Sequence, residues 1–177
     1  MLKHINKILL RVKFNPWTRK RYVQRIYELL KEARDVLFVC KGNICRSPFA
    51  EHYAKLVLND HFEISSCGYW TDDGKPSNAT AQGVAQRFGV DLSNHRTKRI
   101  SDEMINNADI IFTFDYESIG KVLNKYPLIK HKLYLLGMLN RNHLIINDPF
   151  GKSEQHFMRT YQAIAEAVKG IKSYVEG

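Results

Sequence analysis

Cys40 and Arg46 stand six residues apart, and together they could do chemistry: one side chain can act as a nucleophile while the other holds an oxyanion. Between them run Lys41, Gly42, Asn43, Ile44 and Cys45, and Ser47 follows. Successive backbone N–H groups of such a loop can turn inward and, with the positive end of a following helix dipole, enclose a tetrahedral dianion. Gly42 would ease the tight curve, and the planar fork of Arg46 suits two phosphate oxygens. The same field favours the thiolate of Cys40, the reactive form of a cysteine. A lone cysteine at a strand end is ordinarily a small buried hydrophobe. Here it coincides with a glycine, an arginine and the helix start Ser47-Pro48. The loop lacks the Gly-Lys-Ser/Thr ending and the G-x-G-x-x-G spacing of nucleotide-binding loops.

Such a loop needs a strand before it and a helix after it. Val36-Leu37-Phe38-Val39 is a short apolar run suited to a strand buried on both faces, and Ser47 to Leu58 starts as a helix with Pro48 in its first turn. Further along, strands are predicted over Phe62–Ser66, Asp109–Phe114 and Lys132–Leu136. Helices are predicted over Ala79–Phe88, from Ser101-Asp102-Glu103, over Tyr116–Asn124 and over Glu154–Val175. This alternation implies an α/β domain whose parallel sheet is wrapped by helices, with a ligand outside the carboxyl ends of the strands. The first 34 residues read as two basic helices split at Asn15-Pro16, with apolar stripes through Ile5, Ile8, Leu9 and Val12, then through Tyr22, Val23, Ile26, Tyr27, Leu30 and Ala33. We therefore expect a basic helical extension over 1–34 and one domain over 35–177.

A net charge of +9 would suggest a polyanionic partner, but residues 1–34 carry ten Lys or Arg against Glu28 and Glu32, so +8 of it lies there. The nearly neutral remainder argues against nucleic acid. Three cysteines, Cys40, Cys45 and Cys67, offer neither a disulfide framework nor paired Cys-x-x-Cys zinc ligands. With no apolar run near bilayer length and no secretory signal, a reducing cytoplasm is expected.

Val36 to Glu51, VLFVCKGNICRSPFAE, closely resembles the start of low-molecular-weight protein tyrosine phosphatases. The likeness continues through Ser65-Ser66-Cys67-Gly68, Gly89 to Arg96, Asp109 to Asp115 and Asp148-Pro149-Phe150. It implies a four-stranded parallel sheet with flanking helices, and phosphotyrosine hydrolysis through a phosphocysteine without a metal or other cofactor. Asp148-Pro149 taken alone is an ordinary turn pair; the resemblance makes Asp148 the general acid that protonates the leaving oxygen and then takes a proton from water. It also assigns Asn43, Ser47, Ser66 and His95 to a hydrogen-bond shell around the loop. Taken singly, Ser47 could be a helix N-cap, Ser66 a strand-end hydroxyl and His95 a satisfied core histidine. Phe150 and Tyr69 or Trp70 are the expected walls of a slot deep enough for a phenyl phosphate, though any of the three could cap the core. Lys41 stands where relatives are often apolar, and Gly151 where some have a second aromatic. Relatives with a cysteine at the position of Cys45 form a reversible disulfide with the nucleophile; the alternative is a structural thiol.

Two rivals share the loop. A thiol-dependent arsenate reductase would pass electrons through further downstream cysteines, and none follows Cys67. A phosphoprotein-binding module without turnover would not need Cys40, Arg46 and Asp148 together. Bacterial relatives often oppose tyrosine kinases of capsule or exopolysaccharide export, which makes such a kinase an expected partner. The basic extension could lie on an anionic membrane surface or dock an acidic tail, or simply pack on the domain with its charges solvated.

Overall fold

In the computed structural model, which describes residues 16–58, 61–140 and 142–175, four parallel strands form one sheet in the order β2-β1-β3-β4. These are β1 (Asp35–Cys40), β2 (Glu63–Gly68), β3 (Ile110–Thr113) and β4 (Leu133–Leu135). The apolar runs explain the central pair: β3 is buried at every residue and β1 at all but its first, as strands covered on both faces must be. In register, Phe38 lies beside Ser66 on one side and Phe112 on the other, and Cys40 beside Gly68. Cys40 thus stands at the carboxyl end of the central strand, where open α/β sheets gather their ligands.

The helices are α1 (Pro16–Glu32), α2 (Arg46–Leu58), α3 (Ala79–Gln86), α4 (Asp102–Asn107), α5 (Tyr116–Lys125) and α6 (Glu154–Val175). Side-chain caps start three of them: Asn78 accepts from the Ala81 amide, Ser101 from Met104 and Asp115 from Ser118. Helix α2 buries Phe49, Ala50, Tyr53, Ala54 and Leu58, and Phe49 stacks on Tyr161 of α6 with ring centroids 3.8 Å apart. That Tyr161 hydroxyl donates to the Cys45 carbonyl at 3.1 Å, so the closing helix reaches the loop directly.

The second basic helix is present as α1 and packs on the domain. Ile26 and Leu30 are fully buried, Tyr27 stacks on Tyr174 at 4.0 Å, and Arg19 donates to the carbonyls of Met138 and Asn140. The first, through Ile5 to Val12, lies outside the described residues. Several expected boundaries moved by a residue or two, and two of the shifts have a clear cause. β2 runs two residues past Ser66 because Cys67 and Gly68 go on pairing with Val39 and Cys40. α3 ends at Gln86, short of Phe88, where the chain turns to Gly89 with φ +74°, a conformation glycine adopts without cost.

Candidate active site

The loop from Cys40 to Ser47 joins β1 to α2, and its sharpest residue is Asn43, with φ 51°. Gly42, expected to relieve the curve, is not among the residues with positive φ; the left-handed step falls on Asn43, a residue type that tolerates it. Asn43 is fully buried and held on every side. Its Nδ2 donates to Ser47 Oγ at 2.9 Å and to Ser66 Oγ at 2.8 Å, and its Oδ1 accepts from the Lys98 amide at 2.9 Å. His95 Nε2 donates to its carbonyl at 3.0 Å. The sulfur of Cys40 meets Ser47 Oγ at 3.0 Å and accepts from the Asn43 amide at 3.2 Å.

The neighbouring segment comes close enough to fix the loop from the side. Tyr69 and Trp70 amides donate to the carbonyls of Cys40 and Lys41 at 3.0 and 2.9 Å. A Cβ on Gly68 would stand 2.8 Å from the Lys41 carbonyl and 3.1 Å from the Asn43 amide, so this position requires glycine.

Arg46 is 2% exposed, and its guanidinium bridges two carboxylates: Asp115 at 2.5 Å and Asp148 at 2.7 Å. It also donates to the Ile146 carbonyl at 3.2 Å. Burial opposes the charge on Arg46, and Cys40, Asp148 and Asp115 more than offset it, so its pKa is raised. Burial opposes the charge on Asp115 as well, by raising its pKa, yet Arg46 and the Ser118 amide hold its carboxyl below the usual range. Asp148 is more open, with its side chain 40% exposed, and its other oxygen accepts from the Phe150 amide at 3.1 Å.

Above this floor opens a cavity of about 420 Å³, lined by Cys40, Ile44, Arg46, Trp70, Asp148 and Phe150 among others. That volume lies in the range of small-molecule sites. Lys41 places its ammonium 4.9 Å over the Trp70 ring, so this departure from the usual apolar residue becomes part of the wall. Tyr69 does not line this cavity; it lines the cleft next to it, where burial and then Glu117 push its phenol up to about 12. Cys40, Cys45 and Cys67 are free, and burial, with Cys40 close by, pushes the thiols of Cys45 and Cys67 up.

Two contributors were not found by reading the sequence. Asp115 sits at the carboxyl end of β3, where a carboxylate that also caps a helix was the available signal. Glu51, 4% exposed on α2, accepts from Ser66 Oγ and Lys55 Nζ, each at 2.6 Å, and these bonds hold its carboxyl low against burial. It thereby anchors the serine that anchors Asn43.

A model of the low molecular weight phosphotyrosine protein phosphatase family matches residues 35–176. The chain belongs to that family. Among its relatives, the low-molecular-weight protein-tyrosine-phosphatase Etp of Escherichia coli is 34% identical over 133 residues, spanning 75% of this chain and 88% of Etp. The crystal structure of the tyrosine phosphatase AmsI of Erwinia amylovora superposes with a TM-score of 0.75 at 30% identity, covering 80% of this phosphatase and 92% of that chain. Arsenate reductase 2 of Staphylococcus haemolyticus is also similar, at 26% identity over 142 residues, 80% of this chain and 98% of its own. The phosphatase is thus similar in sequence to enzymes of both kinds. Among the described residues no helix is long and apolar enough to cross a membrane.

Proposed function

We propose that this phosphatase hydrolyses phosphotyrosine through a phosphocysteine on Cys40. The observation that carries the reading is Arg46: one buried guanidinium joins the Cys40 loop to Asp148 at 2.7 Å at the base of a single cavity. An entering phosphoryl group takes the place of Asp148 at Nη2, and backbone amides of the loop, with that of Asn43 already turned to the Cys40 sulfur, receive its remaining oxygens. The Cys40 thiolate attacks phosphorus, the P–O bond to the tyrosyl ring breaks, and protonated Asp148 gives its proton to the leaving oxygen. Water then attacks the phosphocysteine, Asp148 takes its proton, and the S–P bond breaks to return thiolate and inorganic phosphate. Ser47 Oγ, 3.0 Å from the sulfur, is positioned to steady the thiolate as it leaves. Trp70 and Phe150 form the aromatic walls, and Ser66 and His95 hold Asn43, hence the loop.

Vanadate-sensitive hydrolysis of p-nitrophenyl phosphate, abolished in Cys40→Ser, is the expected result; an inactive wild-type protein would sink the reading. The arsenate reductase alternative needs a relay of thiols, and residues 68–177 contain no cysteine. A phosphotyrosyl substrate requires a protein tyrosine kinase to supply it, and we take such a kinase, of the polysaccharide-export kind, as the partner. Residues 1–34 form a basic extension to the domain at 35–177. The burial of Ile26 and Leu30 favours a helix packed on the domain for its second half, and leaves a membrane-surface role to be tested by liposome co-sedimentation of the chain with and without those residues.

A further inference from the structure

Beside the Cys40 cavity lies a second cleft of about 400 Å³, and the two share Lys41 and Trp70 as a common wall. Its far side is α5, along which Glu117, Lys121 and Lys125 recur every four residues and so form one row. Tyr69 and Tyr126 add aromatic faces, and buried Val122 closes the base. Three ammonium groups, Lys41, Lys121 and Lys125, line the cleft with one carboxylate, Glu117, while a second, Asp102, accepts from the Tyr126 hydroxyl at 2.9 Å. Among the described residues none of these lysines forms an ion pair. Lys41 lies over Trp70 instead, and Lys125 lies 4.8 Å over the Tyr126 ring.

Resting on the phosphotyrosine reading above, we propose that this cleft binds a second phosphotyrosine of the same substrate chain while the first is cleaved at Cys40. The surplus charge of the cleft matches the roughly −1.5 to −2 of a phosphoryl group, which accepts several charge-assisted hydrogen bonds. Its aromatic faces suit a phenyl ring, with which offset or edge contacts are favourable. An aspartate or glutamate side chain would neutralise one ammonium and leave those faces unfilled. Because the two cavities share a wall, a few residues of extended chain, each spanning about 3.3–3.6 Å, connect them. The enzyme then favours segments bearing two phosphotyrosines and slows once one remains.

The test compares KM for peptides identical except at the second tyrosine, which is phosphorylated, unphosphorylated or replaced by aspartate, at several spacings. Wild-type enzyme is expected to show a KM about tenfold lower for the doubly phosphorylated peptide at the best spacing. The pair Lys121→Ala and Lys125→Ala, on an exposed helix face, should bring the peptides to one KM, with the change in KM and not in kcat. Equal KM values in wild type, with p-nitrophenyl phosphate still hydrolysed, would overturn the second site. So would an aspartyl peptide that does as well, or a variant that weakens every peptide alike, which marks diffuse attraction. Absence of p-nitrophenyl phosphate turnover would instead overturn the reading beneath it, and the site along with it.

Discussion

Asn43, Ser47 and Ser66, beneath the Cys40 cavity, have no solvent exposure, whereas Trp70 and Phe150 on its rim are 72% and 58% exposed. Every polar atom of the buried Asn43 side chain has a partner, and those partners are themselves held, Ser66 by Glu51 and Ser47 by the Cys67 carbonyl. The rim residues are fixed mainly by their backbone. The difference separates two tasks. A loop that must present its amides to a phosphoryl group has to be locked before the substrate arrives, while walls that read a side chain can adapt to it. Substitutions below should therefore change turnover or stability, and those above should change KM.

The largest effect is expected at Arg46. Arg46→Lys keeps a positive charge but cannot bridge Asp115 and Asp148 or offer a planar fork, so kcat/KM should fall by about 10³-fold. Steady-state kinetics on p-nitrophenyl phosphate checks this, and near-normal turnover would show that charge alone suffices. Asp148→Ala comes next, with a loss of about 10²-fold or more in kcat on a phosphotyrosyl peptide, the usual worth of a general acid. The loss should be smaller on p-nitrophenyl phosphate, whose leaving group departs more readily without a proton. A loss under about tenfold on the peptide would remove Asp148 from the acid role.

Asn43 tests the lock itself. Asn43→Ala takes one hydrogen bond each from Ser47 and Ser66, removes the acceptor of the Lys98 amide and puts alanine in the left-handed region, and should cost about 2–3 kcal/mol in urea unfolding. Acid should strain the same shell. Burial holds His95 and His52 below the ordinary histidine value, so the unfolded chain binds more protons than the folded one as pH falls below about 6.5, and stability drops with it. Glu51, whose carboxyl is held low, contributes stability that is present above its unfolded value of about 4.3 and is lost as pH falls through the folded one. The urea midpoint should thus decline steadily on acidification; a midpoint that rises below pH of about 6 would contradict the lowered pKa of these histidines.

What could be read from the sequence follows from how local each feature is. The unit from Val36 to Leu58 is continuous in the chain, so strand, loop and helix were legible together, with Cys40 and Arg46 at their junction. The alternation of strands and helices around a parallel sheet also survives, with boundaries off by a residue or two. Asp115 escaped because its partner is 69 residues away; nothing local distinguishes it from any helix-capping aspartate. Glu51 escaped because a charged helix residue is ordinarily solvated, and only packing turns it inward onto Ser66. Composition points to Gly42 for the curve, yet hydrogen bonds from distant residues stabilise the left-handed step at Asn43. Tyr69 and Trp70 are indistinguishable in sequence; in the fold both line the cleft on α5, and Trp70 alone also reaches the Cys40 cavity.

The smallest effect is expected on the rim. Trp70 exposes most of its ring and makes one clear contact, with the ammonium of Lys41, so Trp70→Ala should change stability by no more than about 0.5 kcal/mol. The same ring is the partition between the Cys40 cavity and the cleft on α5. Its removal should raise KM for phosphotyrosyl peptides about three- to tenfold, the worth of one aromatic contact, and leave kcat nearly intact. Phosphoserine peptides provide the sharper reading: a wall that sets the depth of the slot should, once removed, narrow the margin by which phosphotyrosine is preferred. If Trp70→Ala lowered kcat as much as Asn43→Ala, the rim would belong to the locked floor, and the division between the two regions would fail.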